Sequence, residues 1–376
     1  MHRKSALSSE WTYWNTCRFE LGPAIIHQLK TLGRANRFAS HFMITVSGSF
    51  DVVARSRQRC TVSEILTITL KPAVDYSTST DRVEAGPKLY CEKPQIDPGG
   101  GGVNVARAII KLGGNARALV VFGGPMGDLL LALLEGENVP TVECRVAAAM
   151  GFSLAVTDTT SGDQFRFTLP GEPVSDTEAG MILGRITQNV PRGGFVVLSG
   201  GVALGLPDDF PQKVQADVTR SKGRLVVDTS KVPLLHLINS PVAPLDVLRL
   251  DRSEMEKMLD HPLQSVSENL DFCEQLIGRG VARIVVSGHG SQGSVMVAGA
   301  HKFFCHAPQV SVVSKIGAGD ALVGAFTRSL ACGDPPEQAL RCGVAAAAAT
   351  VSTPGTALFE RADASRLLPL CRLERL

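Results

Sequence analysis

The run Ser314-Lys315-Ile316-Gly317-Ala318-Gly319-Asp320-Ala321-Leu322 has the residue types and spacing of a reactive centre. Its two glycines let backbone N–H groups converge on one point, and a helix starting there adds positive potential, so an anion fits. Asp320 would repel a phosphate. Its presence makes sense if it takes a proton from a hydroxyl while the N–H groups of Gly317, Ala318 and Gly319 hold a phosphoryl in transfer. The other reading is a helix N-cap after a glycine turn.

A second run, Pro98-Gly99-Gly100-Gly101-Gly102-Val103-Asn104, permits close approach of a small polar ligand, with an Asn104 amide able to donate and accept. It could equally be a flexible loop. No Gly-Lys-Ser/Thr follows it, and Asn104 and Val105 stand where a dinucleotide fingerprint needs its last positions. Walker and dinucleotide-binding loops are therefore excluded.

The elements that must position these runs alternate. Ile65 to Leu70 alternates apolar and threonine residues as a strand, and Lys71-Pro72-Ala73-Val74-Asp75 ends it, placing Asp75 at the strand's C-terminal edge. Ala118–Phe122, Phe195–Ser199, Arg224–Asp228, Asp246–Arg249 and Arg283–Ser287 are short apolar runs of buried-strand type, with helical segments between them. That order predicts a doubly wound α/β fold, a mainly parallel sheet flanked by helices. Two stretches interrupt it. Residues 76–96 are polar and strand-like, and Phe152–Val156 and Gln164–Leu169 flank a hairpin signal at Thr160-Ser161-Gly162-Asp163. Together, segments 76–96 and 150–170 predict a small β-sheet lid. The segment after Ala345–Thr350 reads as a closing helix with a short tail.

Composition narrows the class. Lys plus Arg total 38 against 36 Asp plus Glu in 376 residues, so nothing in the balance suits a nucleic-acid footprint. The nine cysteines are scattered without metal spacing, which suits reduced thiols and a cytoplasmic protein. No apolar run reaches membrane-spanning length. Residues 1–61 differ from the rest: they hold both tryptophans, Trp11 and Trp14, and an excess of arginine. They read as a poorly ordered N-terminal extension before a domain at 62–376; an organelle-targeting segment fits less well, because its amphipathic pattern is weak.

The chain from about Ile65 to Leu368 resembles the ribokinase-like (pfkB) carbohydrate kinases, nearest the minor bacterial 6-phosphofructokinase type. The resemblance rests on Leu70 to Asp75, Pro98 to Ala108, Gln164-Phe165-Arg166-Phe167-x-x-Pro170-Gly171 and Ile316 to Asp320. It implies ATP-dependent phosphorylation of a sugar phosphate, fructose 6-phosphate to fructose 1,6-bisphosphate, with Mg2+. Tagatose 6-phosphate, fructose 1-phosphate or a free sugar are alternative substrates, and a catalytically weak sugar-phosphate-binding regulator is an alternative role. Asp320 is then the base and Gly317–Gly319 the anion hole. Asp75, Gly100, Gly101 and Asn104 bind the sugar, while Lys88 and Arg166 reach from the lid to its phosphate. Arg249, Ser287, Gly288, Gly290 and Gly293 serve the nucleotide, and Asp251 and Glu254 serve the metal through water. A homodimer through the lid is also implied.

The chain departs from the family pattern in three places. Arg249-Leu250-Asp251-Arg252-Ser253-Glu254 stands for the usual Lys-Pro-Asn-x-x-Glu, and Met150-Gly151 stands where the phosphofructokinase branch places a second lid arginine. The proline-containing segment after Ser199-Gly200 is replaced by Gly201-Val202-Ala203-Leu204. His289, alone in the Ser287–Gly293 loop, reads as a solvated turn residue. The alanines from 345 to 349 suit either close helix packing or a wall beside an adenine.

Overall fold

The computed structural model describes residues 63–355 and 357–376; the expected N-terminal extension, residues 1–61, lies outside the described residues. In chain order the elements are β1 (Ile65–Thr69), β2 (Ala73–Thr80), β3 (Gln95–Gly99), α1 (Gly101–Lys111), β4 (Arg117–Phe122), α2 (Gly124–Gly136), β5 (Thr141–Arg145), β6 (Phe152–Asp158) and β7 (Gln164–Leu169). Next come α3 (Asp176–Asn189), β8 (Phe195–Ser199), α4 (Phe210–Arg220), β9 (Arg224–Asp228), α5 (Lys231–Asn239), β10 (Leu245–Leu250), α6 (Arg252–Leu259) and α7 (Val266–Gly278). The last are β11 (Ala282–Gly288), β12 (Gly293–Ala298), β13 (His301–His306), α8 (Ala318–Ala331), α9 (Pro336–Thr350), α10 (Arg361–Leu367) and β14 (Arg372–Arg375).

The large sheet runs β14-β13-β12-β11-β10-β9-β8-β1-β4-β5. Pairing is parallel from β5 to β11 and antiparallel from β11 to β14. Chain order runs outward from β1 through β4 to β5, then returns to β8 on the other side of β1. This reversal is the switch point where a parallel sheet opens a crevice at its C-terminal ends.

Each central strand is buried on both faces, which explains its Val, Ile and Leu content. Along β8, Phe195 and Val197 join the core beneath α1, α8 and α9, while Val196 and Leu198 join the one beneath α3 to α7. Thr67 and Thr69 of β1 are buried as well. The alternation read in that strand is therefore not that of a half-exposed one. The C-terminal tail is not loose either, because β14 pairs with β13 from Arg372 opposite His306 to Arg375 opposite Phe303.

The second sheet is the lid, ordered β3-β2-β6-β7. Asp75 belongs to it, opposite Asp97 and Ser153, because Ala73 to Thr80 continues as a lid strand. This corrects its expected place at the edge of β1. Directly paired residues share a face, so Asp75, Ser153 and Thr168 lie together, as do Ser77, Ala155 and Arg166 beside them. The opposite face carries Tyr76, Leu154 and Phe167.

Helix α8 reaches the crevice by packing closely on α1. A Cβ on Gly324 would lie 2.9 Å from Ala108 Cβ and 3.0 Å from the Val105 carbonyl oxygen, so a hydrogen there sets the interhelical distance. Gly324→Val should lower the unfolding free energy by about 1–3 kcal/mol through overpacking, read as a lower urea midpoint. An unchanged midpoint would mean that α8 does not rest on this contact.

Candidate active site

The site forms where α8 and α1 begin, over the C-terminal ends of β8, β9 and β10. Gly317, at φ 75°, is the N-cap of α8, and the first bond of the helix runs from Ala321 N–H to Gly317 O at 2.8 Å. The N–H groups of Ala318 and Gly319 precede that bond and are left for a ligand. Asp320 is not the N-cap expected as one reading. It stands in the first turn, and its side chain makes no capping bond.

The Asp320 carboxylate instead accepts a hydrogen bond from Asn104 Nδ2 at 3.0 Å and another from Ser199 Oγ at 3.2 Å. Burial pushes its pKa up to about 7, and the neighbouring Asp228 adds to the rise; Asn104, Arg249 and Ser199 pull the other way. A carboxylate so placed is a proton acceptor near neutral pH. The Asn104 amide is itself oriented. Its Oδ1 accepts from Arg107 Nη1 at 3.2 Å, and the Arg107 fork grips Glu137 through two bonds of 2.6 Å. Arg107 also donates to the Pro98 carbonyl at 3.1 Å, tying down the start of the glycine run.

The glycine run ends β3 and starts α1, packed closely on its surroundings. A Cβ on Gly101 would strike Ser199 Oγ and the Gly200 backbone, and one on Gly99 would strike the Asp75 carboxylate. Burial raises the Asp75 pKa with help from Asp97, against Ser153, Arg166 and Arg107. A cleft of about 380 Å³ opens beside Asp75 and Gly100. Arg166 lies on the Asp75 face of the lid, whereas Lys88 sits in the exposed connection between β2 and β3.

On the other flank, Arg249 lies against Gly319, its Nη2 2.9 Å from where a Cβ would be, and pairs with Asp228 at 3.0 Å. Sequence reasoning missed Asp228 and Ser199. Their signal was their place as last residues of two parallel strands, where such sheets hold their sites. Asp251 and Glu254 form a capping box at the start of α6. Asp251 Oδ1 accepts from Glu254 N–H at 2.9 Å and Glu254 Oε2 from Asp251 N–H at 3.1 Å. Aspartate for the family's asparagine thus keeps the cap. Burial, aided by Asp251 and Asp228, pushes the Glu254 pKa up to about 7.

Among the described residues no three His, Cys, Asp or Glu side chains converge as a metal cage. A Mg2+ carried on nucleotide phosphates needs only one or two carboxylates. The crowding that raises Glu254 is what such a cation would relieve, so the residues fit it.

Gly288, Gly290 and Gly293 shape the tight turn from β11 to β12, and the buried Ser287 hydroxyl donates to Met255 Sδ at 3.0 Å. His289 is buried beside Phe304 and faces Asn269 at 3.4 Å, so it is not a solvated turn residue. The alanines of α9 are buried in the core against α8.

Residues 62–362 match the pfkB family of carbohydrate kinases. The ATP-dependent 6-phosphofructokinase isozyme 2 of Mycobacterium tuberculosis is 36% identical over 308 residues, covering 81% of this chain and 89% of that protein. A 1-phosphofructokinase of Xanthomonas campestris is 28% identical over 307 residues, covering 81% and 94%. The crystal structure of phosphofructokinase-2 from Escherichia coli in complex with substrates and products superposes with a TM-score of 0.77 at 30% identity, over 82% of this chain and 99% of that one. The shared two-sheet fold, the retained glycine–aspartate turn and this extent of identity lead to one conclusion: the chain belongs to the pfkB family of carbohydrate kinases and is a sugar or sugar-phosphate kinase that uses ATP.

Proposed function

We propose that the protein transfers the γ-phosphoryl group of ATP to the primary hydroxyl of fructose 6-phosphate, giving fructose 1,6-bisphosphate. The observation that carries this reading is the Asp320 carboxylate, held by Asn104 and Ser199 beside two N–H groups at a helix start. Asp320 takes the hydroxyl proton as the oxygen attacks. The N–H groups of Gly317, Ala318 and Gly319 face the charge that develops on the phosphoryl oxygens. Gly100, Gly101 and Asn104 form the sugar floor, Asp75 binds sugar hydroxyls, and Arg166 and Lys88 meet the sugar's phosphate, Arg166 through a planar fork suited to it.

Arg249 and the Ser287–Gly293 turn serve the nucleotide in this reading, and Asp251 and Glu254 hold Mg2+ through its water. Bound there, Mg2+ neutralises charge on the nucleotide phosphates. The kinase domain spans residues 62–376 and works in the cytoplasm; seven free cysteines among the described residues support that setting. No helix among those residues is long and apolar enough to cross a membrane. Fructose 1-phosphate is the second reading, favoured by the 1-phosphofructokinase relative.

The deciding experiment is ADP release with Mg2+ across fructose, tagatose 6-phosphate, fructose 1-phosphate and fructose 6-phosphate; the last should give the highest kcat/KM. No turnover with any of them, alongside measurable sugar-phosphate binding, would replace the kinase with a sensor. Protonation removes the base, so kcat/KM should fall as pH drops through about 7. Asp320→Asn should lower kcat by about 10²–10⁴-fold with little change in binding; a near wild-type rate would dismiss it as base. Arg166→Ala should raise KM for the phosphorylated sugar and leave kcat nearly intact, and an unmoved KM would take Arg166 out of the site. The outer lid face exposes Phe165, Phe167 and Leu169 at 38%, 50% and 41%, which supports a homodimer joined there. Sedimentation equilibrium should report a dimer that Phe167→Asp dissociates, and a wild-type monomer would end that assignment.

A further inference from the structure

The cleft beside Asp75 and Gly100 has an uneven charge distribution. Three ionisable side chains line it: Asp75, Glu172 and Lys71. The Glu172 carboxylate accepts the Ala149 N–H at 2.9 Å, and the Asp75 carboxylate lies over Gly99. Lys71 is the one cation in the lining, since neither Lys88 nor Arg166 contributes to it. Met150 and Gly151, at the place of the absent second lid arginine, line the same cleft.

Lys71 is well placed for an anion. It lies two residues beyond β1, at the switch point of the large sheet, and precedes the lid strand that carries Asp75. Its side chain reaches Gly201, with Cδ 3.6 Å from where a Cβ on that residue would sit. The replacement Gly201-Val202-Ala203-Leu204 therefore leaves room for the lysine stem, and Val202, Ala203 and Leu204 line the cleft next to it. Among the described residues the Lys71 ammonium has no ion pair or hydrogen bond, although it stands in a cleft with two carboxylates. An exposed lysine ordinarily finds its counter-charge in solvent. Here the cleft is large enough for a sugar phosphate, and every other wall is neutral or acidic.

We propose that Lys71 is the specificity-determining cation of this cleft, binding the phosphate of the sugar-phosphate substrate in place of the second lid arginine that this chain lacks. The inference rests on the proposed sugar-phosphate reading. Lys71 then selects a phosphorylated sugar over a free one from beneath the cleft, acting together with Arg166 on the Asp75 face of the lid, while the reacting hydroxyl points to Asp320.

The test is steady-state kinetics with fructose, fructose 1-phosphate and fructose 6-phosphate for the wild type, Lys71→Met and Lys71→Arg. Lys71→Met should raise KM for the preferred sugar phosphate tenfold or more, with kcat within about twofold and KM for ATP unchanged, as expected for loss of uniform binding. Lys71→Arg should restore most of the affinity. Inorganic phosphate, used as a competitor against the sugar phosphate, should inhibit the wild type several-fold more strongly than Lys71→Met. A wild type that uses a sugar phosphate, with Lys71→Met showing the same KM and the same phosphate inhibition, would overturn the assignment of Lys71 alone. A wild type that phosphorylates only free fructose would overturn the sugar-phosphate reading first, and this inference with it.

Discussion

The hydrogen bond from Asn104 to Asp320 joins two helix starts that lie 216 residues apart in the chain. Everything else in the site depends on its being short and correctly oriented. Closeness comes from glycine: Gly324 lets α8 rest on α1, and Gly101 lets α1 rest on the end of β8. Orientation comes from Arg107, which occupies the Asn104 oxygen and so turns the NH2 group toward the carboxylate. An amide flipped the other way would present an acceptor to an acceptor. The buried Arg107–Glu137 pair, with Arg107 only 2% exposed, thus acts through Asn104. A buried ion pair is weak evidence for stability in itself; here its geometry has a use.

Around that bond the charges are balanced closely. Asp228 pairs with Arg249, and Arg249 in turn leans on Gly319 and faces Asp251 and Glu254. With four carboxylates and one guanidinium, the cluster carries an excess of negative charge before any ligand arrives. That excess, together with burial, lifts both Asp320 and Glu254 toward neutrality. In the proposed reading, a Mg2+ held near Asp251 and Glu254 would offset this excess, against the charge of the nucleotide phosphates that carry it.

Much of this was legible in the sequence, for identifiable reasons. Doubly buried parallel strands are written as short apolar runs, and these five were placed to within a residue or two. Glycine runs before helices mark close approach, and both are closely packed. What the sequence hid were facts of juxtaposition. Asp228 and Ser199 are ordinary strand-terminal residues until the parallel register sets them side by side. His289 looked solvated because its neighbours are glycines, yet β13 and α7 bury it with Phe304 and Asn269. Asp75 read as the end of one strand because Lys71-Pro72 breaks the pattern, when that break is the crossing from one sheet to the other.

That crossing has a thermodynamic consequence. In the proposed reading the sugar-facing groups are divided between two separately paired sheets, with Asp75 on the small one and Gly101 and Asn104, at the start of α1, against the large one. A sugar that touches both sets fixes the relation between the sheets, and by linkage the arrangement it requires is stabilised in proportion to how much better it binds that arrangement than any other. The three-residue bridge Leu70-Lys71-Pro72 restricts how many relations there are to choose among, since proline holds its own φ. In that reading, the restriction built into this short connection lessens the entropy lost when the sugar binds.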